Sequence, residues 1–114
     1  MDVLGICFAG TSTGHRVEMT RFVAEVLGLS RRVVEDVDAE LFGLPDGSSF
    51  AVASPGEMGQ SARSIGFLVA DLDAAVAELR AVGVATDEPA ENELERYVHF
   101  TAPDGHVYEL VERR

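Results

Sequence analysis

The chain has 114 residues, 46% of them hydrophobic, and 20 acidic residues against nine basic ones give a formal net charge of -11. That length and apolar content suit a single domain with its own core. The negative field speaks against nucleic acid or an anionic membrane surface as a partner. One cysteine rules out an internal disulfide, and no apolar run approaches the ~20 residues of a membrane-spanning helix. No basic, apolar leader pattern opens the chain, so a cytoplasmic protein is expected.

Residues 2–10 alternate as a strand. Met19, Phe22, Val23, Val26 and Leu27 then recur at helical spacing, and Gly28 closes the stripe. Stretches near 31–36, 38–43 and 48–54 read as strands, the last two joined by a turn at Pro45-Asp46-Gly47. Residues 54–62 (SPGEMGQSA) lack periodicity and read as a linker. A strand follows over 63–69, then a helix with Asp71 as N-cap and Leu72, Ala75, Val76 and Leu79 on its apolar face. After Gly83 come a weak extended stretch near 84–88 and strands near 95–101 and 106–112.

The two halves repeat one another. Pro45-Asp46-Gly47 returns as Pro103-Asp104-Gly105, Gly5-Ile6-Cys7-Phe8 as Ser64-Ile65-Gly66-Phe67, and Gly28-Leu29 as Gly83-Val84, in the same order. The organisation expected is one domain, 1–114, built from a βαβββ module over 1–53, the linker 54–62 and a second βαβββ module over 63–114.

The duplicated order, the stretch IGFLVADLDAAVAELRAVGV and the terminal FTAPDGHVYELVE resemble the vicinal oxygen chelate superfamily, which holds glyoxalase I, extradiol dioxygenases and bleomycin-resistance binding proteins. The resemblance implies an α+β fold in which curved mixed sheets surround a cleft and the helices lie outside. It also implies that metal-dependent members draw ligands from the first and last strand of each half. Those positions here are Gly5, Ala51, Ser64 and Glu109. One carboxylate among Gly, Ala and Ser cannot hold a divalent ion tightly. No metal or other cofactor is therefore expected, with a divalent ion as the runner-up.

Period-two counting assigns Gly5, Cys7, Ala9, Ser49, Ala51, Ala53, Ser64, Gly66, Leu68, Val107, Glu109 and Val111 to the cleft, and Leu4, Ile6, Phe8, Phe50, Ile65, Phe67 and Tyr108 to the helix side, packed under the helices. A cleft lined by small residues leaves room for a ligand. Glu109 is its candidate hydrogen-bond acceptor or general base. Arg96, Val98 and Phe100 are expected on the Glu109 face, as are Glu40 and Phe42 from the first hairpin. With a loop of residues 102–105, His99 would lie across from Tyr108 and point away from Glu109, as would His106. Cys7 has no base beside it and reads as a small cleft-lining or core residue.

These features favour a metal-independent small-molecule-binding protein that takes an apolar or aromatic ligand. The alternatives are a metal-dependent lyase, isomerase or dioxygenase, and a ligand-free regulatory or interaction domain. A homodimer is expected, since two small half-sheets leave edges that a partner could cover.

Overall fold

In the computed structural model, which describes residues 1–56 and 62–114, the strands of both halves join into one curled, eight-stranded mixed sheet. The elements are β1 (Val3–Ser12), α1 (Arg16–Arg21), β2 (Ser30–Arg32), β3 (Glu40–Gly43), β4 (Ser49–Ala53), β5 (Arg63–Val69), α2 (Leu72–Ala81), β6 (Ala90–Glu91), β7 (Glu95–Thr101) and β8 (Val107–Arg113). Their order across the sheet is β2-β3-β4-β1-β5-β8-β7-β6. The first strand of each half pairs in parallel with the last, β1 with β4 and β5 with β8. β1 and β5 pair antiparallel and form the central seam. Most of the linker expected at 54–62 cannot be followed, since residues 57–61 lie outside the described residues.

Both helices pack on the convex side. Under α2, Val69, Leu72, Ala75, Val76, Val98 and Leu110 form one core, with Phe67 and Phe100 against it. Asp71 caps the helix by accepting from the Ala74 N–H at 3.0 Å, and Glu112 Oε2 accepts from the Leu72 N–H at 2.7 Å. Under the first helix, Val23, Phe42 and Val52 form a smaller core.

The apolar stripe expected on the first helix is only partly used. α1 runs into a turn of π-helix over Phe22–Val26, in which the Leu27 N–H reaches the Phe22 carbonyl at 3.1 Å. The wider turn puts the stripe out of phase, so Val23 is buried while Phe22, Val26 and Leu27 are exposed. The strand expected over 31–36 shortens to Ser30–Arg32. The extended stretch near 84–88 makes a single bridge, Thr86 to Phe100.

Between the two helices the convex side of the seam is uncovered. Leu4 is 61% exposed and Ile6 64%, and Ile65 is also exposed.

Candidate functional site

Two local irregularities decide which side chains reach the concave face. The first is in β1. Its register against β5 slips between Ile6 and Phe8, so Cys7 is the extra residue of a bulge. Phe8 then pairs with Gly66, which in turn pairs with Glu109. Phe8 therefore joins the concave face, where strict alternation had put it on the helix side, and Ala9, expected in the cleft, turns outward beside Ile65.

The second irregularity is the β7–β8 connection. Ala102 N–H donates to the His106 carbonyl at 2.9 Å, and the ladder starts at Thr101 opposite Val107. The loop thus spans 102–106 rather than 102–105. One added residue moves every β7 side chain to the other face. His99 lies opposite Glu109, and Phe100 opposite Tyr108.

This shift corrects three expected site residues. Val98 is in the core under α2, and Phe100 packs against that core. Arg96 faces outward, where its Nη2 lies 3.1 Å from Asp73 Oδ1. Glu40 and Phe42 are also turned away from the cleft. Glu40 pairs with Arg16 at 3.4 Å, and Phe42 is buried beneath the first helix. In their place, sequence counting missed Glu95, Tyr97 and His99 from β7, Leu41 from β3, and Asp36 and Asp38 from the β2–β3 loop. All of these border one cavity of about 330 Å³, together with Phe8, Ala51, Ala53 and Glu109. The alternation Glu95, Tyr97, His99 was visible in the chain and would have been assigned correctly with a five-residue loop.

The remaining expected residues fall into place by register. Gly5 pairs with Leu68, Ser64 with Gly10, and Leu68 with Val111, all on the Glu109 side. Val107 is buried on the same side but does not border the cavity. Cys7 is buried and faces a neighbouring depression.

The polar centre is a chain of three side chains. His99 Nε2 lies 2.9 Å from Glu109 Oε1, and His99 Nδ1 lies 2.8 Å from Asp87 Oδ2. Asp87 is fixed in turn, because its Oδ1 accepts the His99 backbone N–H at 2.7 Å. The Glu109 hydrogen bond does most to raise the His99 pKa, to about 9, against the opposing effect of burial, with Asp87 adding to the rise. At neutral pH the ring is an imidazolium donating to both carboxylates. Tyr97 stands edge-on to it, with ring centroids 5.7 Å apart. Burial pushes the Glu95 carboxyl up, and the Glu109 charge adds to this. Burial also pushes the Cys7 thiol up to about 11, which leaves it protonated and a poor nucleophile.

The residues present do not fit a divalent metal ion. Of the four positions the resemblance implies, Glu109 alone is a carboxylate or imidazole, with Oε1 already engaged by His99, and Ser64 adds only a neutral hydroxyl. The imidazole has both nitrogens committed to carboxylates. Among the described residues, no group of three His, Cys, Asp or Glu side chains could hold a metal.

No family model matches this chain, and no curated protein does. Solved structures match it widely. Methylmalonyl-CoA epimerase from Mycobacterium tuberculosis superposes with a TM-score of 0.72 at 20% identity, covering 98% of this chain and 89% of that one. Streptomyces coelicolor methylmalonyl-CoA epimerase in complex with 2-nitronate-propionyl-CoA gives a TM-score of 0.69 at 19% identity, with 97% and 98% covered. A glyoxalase/bleomycin resistance protein/dioxygenase superfamily member from Vibrio splendidus 12B01 gives 0.65 at 14% identity, with 96% and 97% covered. At these identities the likeness establishes a shared architecture, the vicinal oxygen chelate fold. Fold alone does not assign an activity.

Proposed function

We propose that this protein binds an apolar or aromatic small molecule on the concave face of its sheet, without a metal ion, as a sequestering or carrier protein does. The observation that carries this reading is the cavity of about 330 Å³, whose apolar wall is Phe8, Leu41, Ala51 and Ala53 and whose polar side converges on Glu109 and His99. Its volume suits a small molecule, and opposite the apolar wall Asp36, Asp38, Asn92, Glu95 and Tyr97 add to the polar side. It draws on both proposed modules, 1–53 and 63–114, so it exists only when they are joined along β1 and β5. Glu109 serves as an acceptor for a ligand N–H or O–H, its carboxylate oriented by His99.

A second reading is an enzyme of epimerase or isomerase type, supported by the two structural neighbours named as methylmalonyl-CoA epimerase. Such an enzyme needs a carboxylate at liberty to take a proton from substrate. The Asp87–His99–Glu109 chain commits Glu109 to an imidazolium, so in this reading the base would be Glu95, which borders the same cavity and whose carboxyl burial pushes up.

We also propose a homodimer. Its surface would be the convex side of the β1–β5 seam, where Leu4, Ile6 and Ile65 are exposed between the two helices. A second copy of the same stripe is self-complementary about a two-fold axis.

The test of the binding function is fluorescence titration with the neutral arylamine N-phenyl-1-naphthylamine. Saturable binding is expected, and it should weaken by about tenfold in Ala51→Phe, whose ring fills the cavity. Circular dichroism checks that the variant is folded. Absence of binding by the wild type, or equal binding by a folded Ala51→Phe, would count against the proposal.

A further inference from the structure

Beyond the cavity the concave face has a second depression, of about 320 Å³, bordered by Cys7, Arg32, Ser49, Glu95 and Arg113, with Arg114 at the rim. Glu95 borders both spaces, so the two are neighbours along one face. The charge of the second space runs against that of the whole chain, which carries 20 acidic residues and nine arginines.

Several arginines outside this depression find carboxylates. Arg31 pairs with Glu40 at 2.5 Å and Arg96 with Asp73 at 3.1 Å. Of the three that border the depression, Arg114 lies 3.8 Å from Glu91, but the other two are different. Arg32 Nη1 donates to Ser49 Oγ at 2.7 Å, and Arg113 Nη2 donates to the Gly47 carbonyl at 3.3 Å. Both partners are neutral, and among the described residues neither guanidinium has a carboxylate within ion-pairing distance. Each is nonetheless fixed in place. Arg32 lies against Gly43, where a Cβ would meet its Nη2 at 2.6 Å. Arg113 reaches from the end of β8 across to the turn between β3 and β4. Both act on the same spot, since Arg32 and Arg113 are the positive charges that oppose the rise of the Glu95 pKa. A guanidinium with spare N–H donors in a partly enclosed, orienting setting is a good receptor for an oxyanion.

We propose that Arg32 and Arg113 form an anion subsite at one end of the concave face. It takes a carboxylate or phosphate group of a ligand whose apolar body lies over Phe8 and Ala51 toward Glu109. The inference rests on the binding function proposed above, and it adds the chemical class of the ligand: an organic acid or phosphate ester with an apolar body.

The test compares two dyes that share an arylamine body, N-phenyl-1-naphthylamine and 8-anilinonaphthalene-1-sulfonate, the second of which carries an oxyanion. Despite the negative charge of the protein, the sulfonate dye is expected to bind about fivefold more tightly, with a preference that shrinks as salt is added. Arg32→Gln and Arg113→Gln should each remove the preference and leave the affinity for the neutral dye and the melting temperature unchanged. Arg63→Gln, an exposed arginine on β5, should keep it. If the neutral dye binds and the sulfonate dye binds no better, the anion subsite is wrong and the cavity reading stands. Retention of the preference in both arginine variants, or its loss in Arg63→Gln, also overturns the subsite. If neither dye binds, both proposals fall.

Discussion

His99 and Glu109 face one another across the β7–β8 ladder, with Nε2 2.9 Å from Oε1, and this contact makes His99 a cation in a chain whose other fixed charges are mostly negative. The Asp87 carboxylate on the far side of the ring completes the arrangement.

Stability should therefore fall as pH rises through the alkaline range. The His99 pKa is raised from 6.5 to about 9 in the folded protein. Its contribution is fully present below about 6.5, where the ring is charged whether folded or not, and is lost as pH passes about 9. Urea denaturation at pH 6, 7.5 and 8.8 should show this decline, and His99→Gln should make it shallower, leaving the part from the Met1 amine, which Glu78 holds above its ordinary value. The Cys7 thiol, pushed up to about 11, adds a loss of the same sign above its ordinary 9.0, so the comparison belongs below pH 9. An NMR titration placing the His99 ring near its ordinary value would refute the account.

Glu109→Gln keeps the shape of the side chain and removes its charge. Because the Glu109 hydrogen bond is the largest cause of the His99 shift, the ring pKa should drop toward 6.5 in this variant. Folding should weaken by roughly 1–2 kcal/mol, the value of a charge-assisted hydrogen bond that retains some solvent screening. NMR and urea melts on the same sample read both effects. An unchanged His99 titration would mean that Asp87 alone holds the proton.

Gly66 and Gly5 should respond in opposite ways to the same change. A Cβ at Gly66 would meet Phe8 Cβ at 2.8 Å and Val111 Cγ2 at 3.2 Å, whereas nothing lies within 4 Å of one at Gly5. Phe8 Cβ is anchored to its backbone and cannot swing aside, so Gly66→Ala should cost about 1–3 kcal/mol. Gly5→Ala should be neutral or slightly stabilising, by up to about 1 kcal/mol, through lower chain entropy in the unfolded state. Equal midpoints for the two variants in denaturant would contradict the packing described for the β1–β5 seam.

The proposed dimer predicts that the wild type sediments as two copies at micromolar concentration and that Ile6→Glu sediments as one. A monomeric wild type across that range would end the proposal, and the Leu4, Ile6 and Ile65 stripe would then be an ordinary exposed patch.

Much of the fold was legible because its signals are local. The α2 stripe of Leu72, Ala75 and Val76 and its Asp71 cap are built as the pattern required. Alternation along β4 and β8 likewise identified Ala51 and Glu109 as cavity residues. The failures share one cause. Alternation tells which residues of a strand share a face, but the face itself is set by what joins that strand to its neighbour. An extra residue in the 102–106 turn exchanged Arg96, Val98 and Phe100 for Glu95, Tyr97 and His99. An extra residue at Cys7 brought Phe8 in and turned Ala9 out. Both depend on hydrogen bonds between backbone groups, which carry no mark in the side-chain pattern.

The position of β1 bears on how the chain is made. It is synthesised before both of its partners, yet it sits in the middle of the sheet, between β4 and β5. Its partners begin at Ser49 and Arg63. At translation rates of about 5–20 residues per second, β1 waits for several seconds with its backbone unpaired while those partners are synthesised. Over that interval Val3, Leu4, Ile6 and Phe8 are an apolar segment without its partner strands, a composition open to pairing with other chains. The same strand that joins the finished halves is thus the one most exposed to misassembly during synthesis.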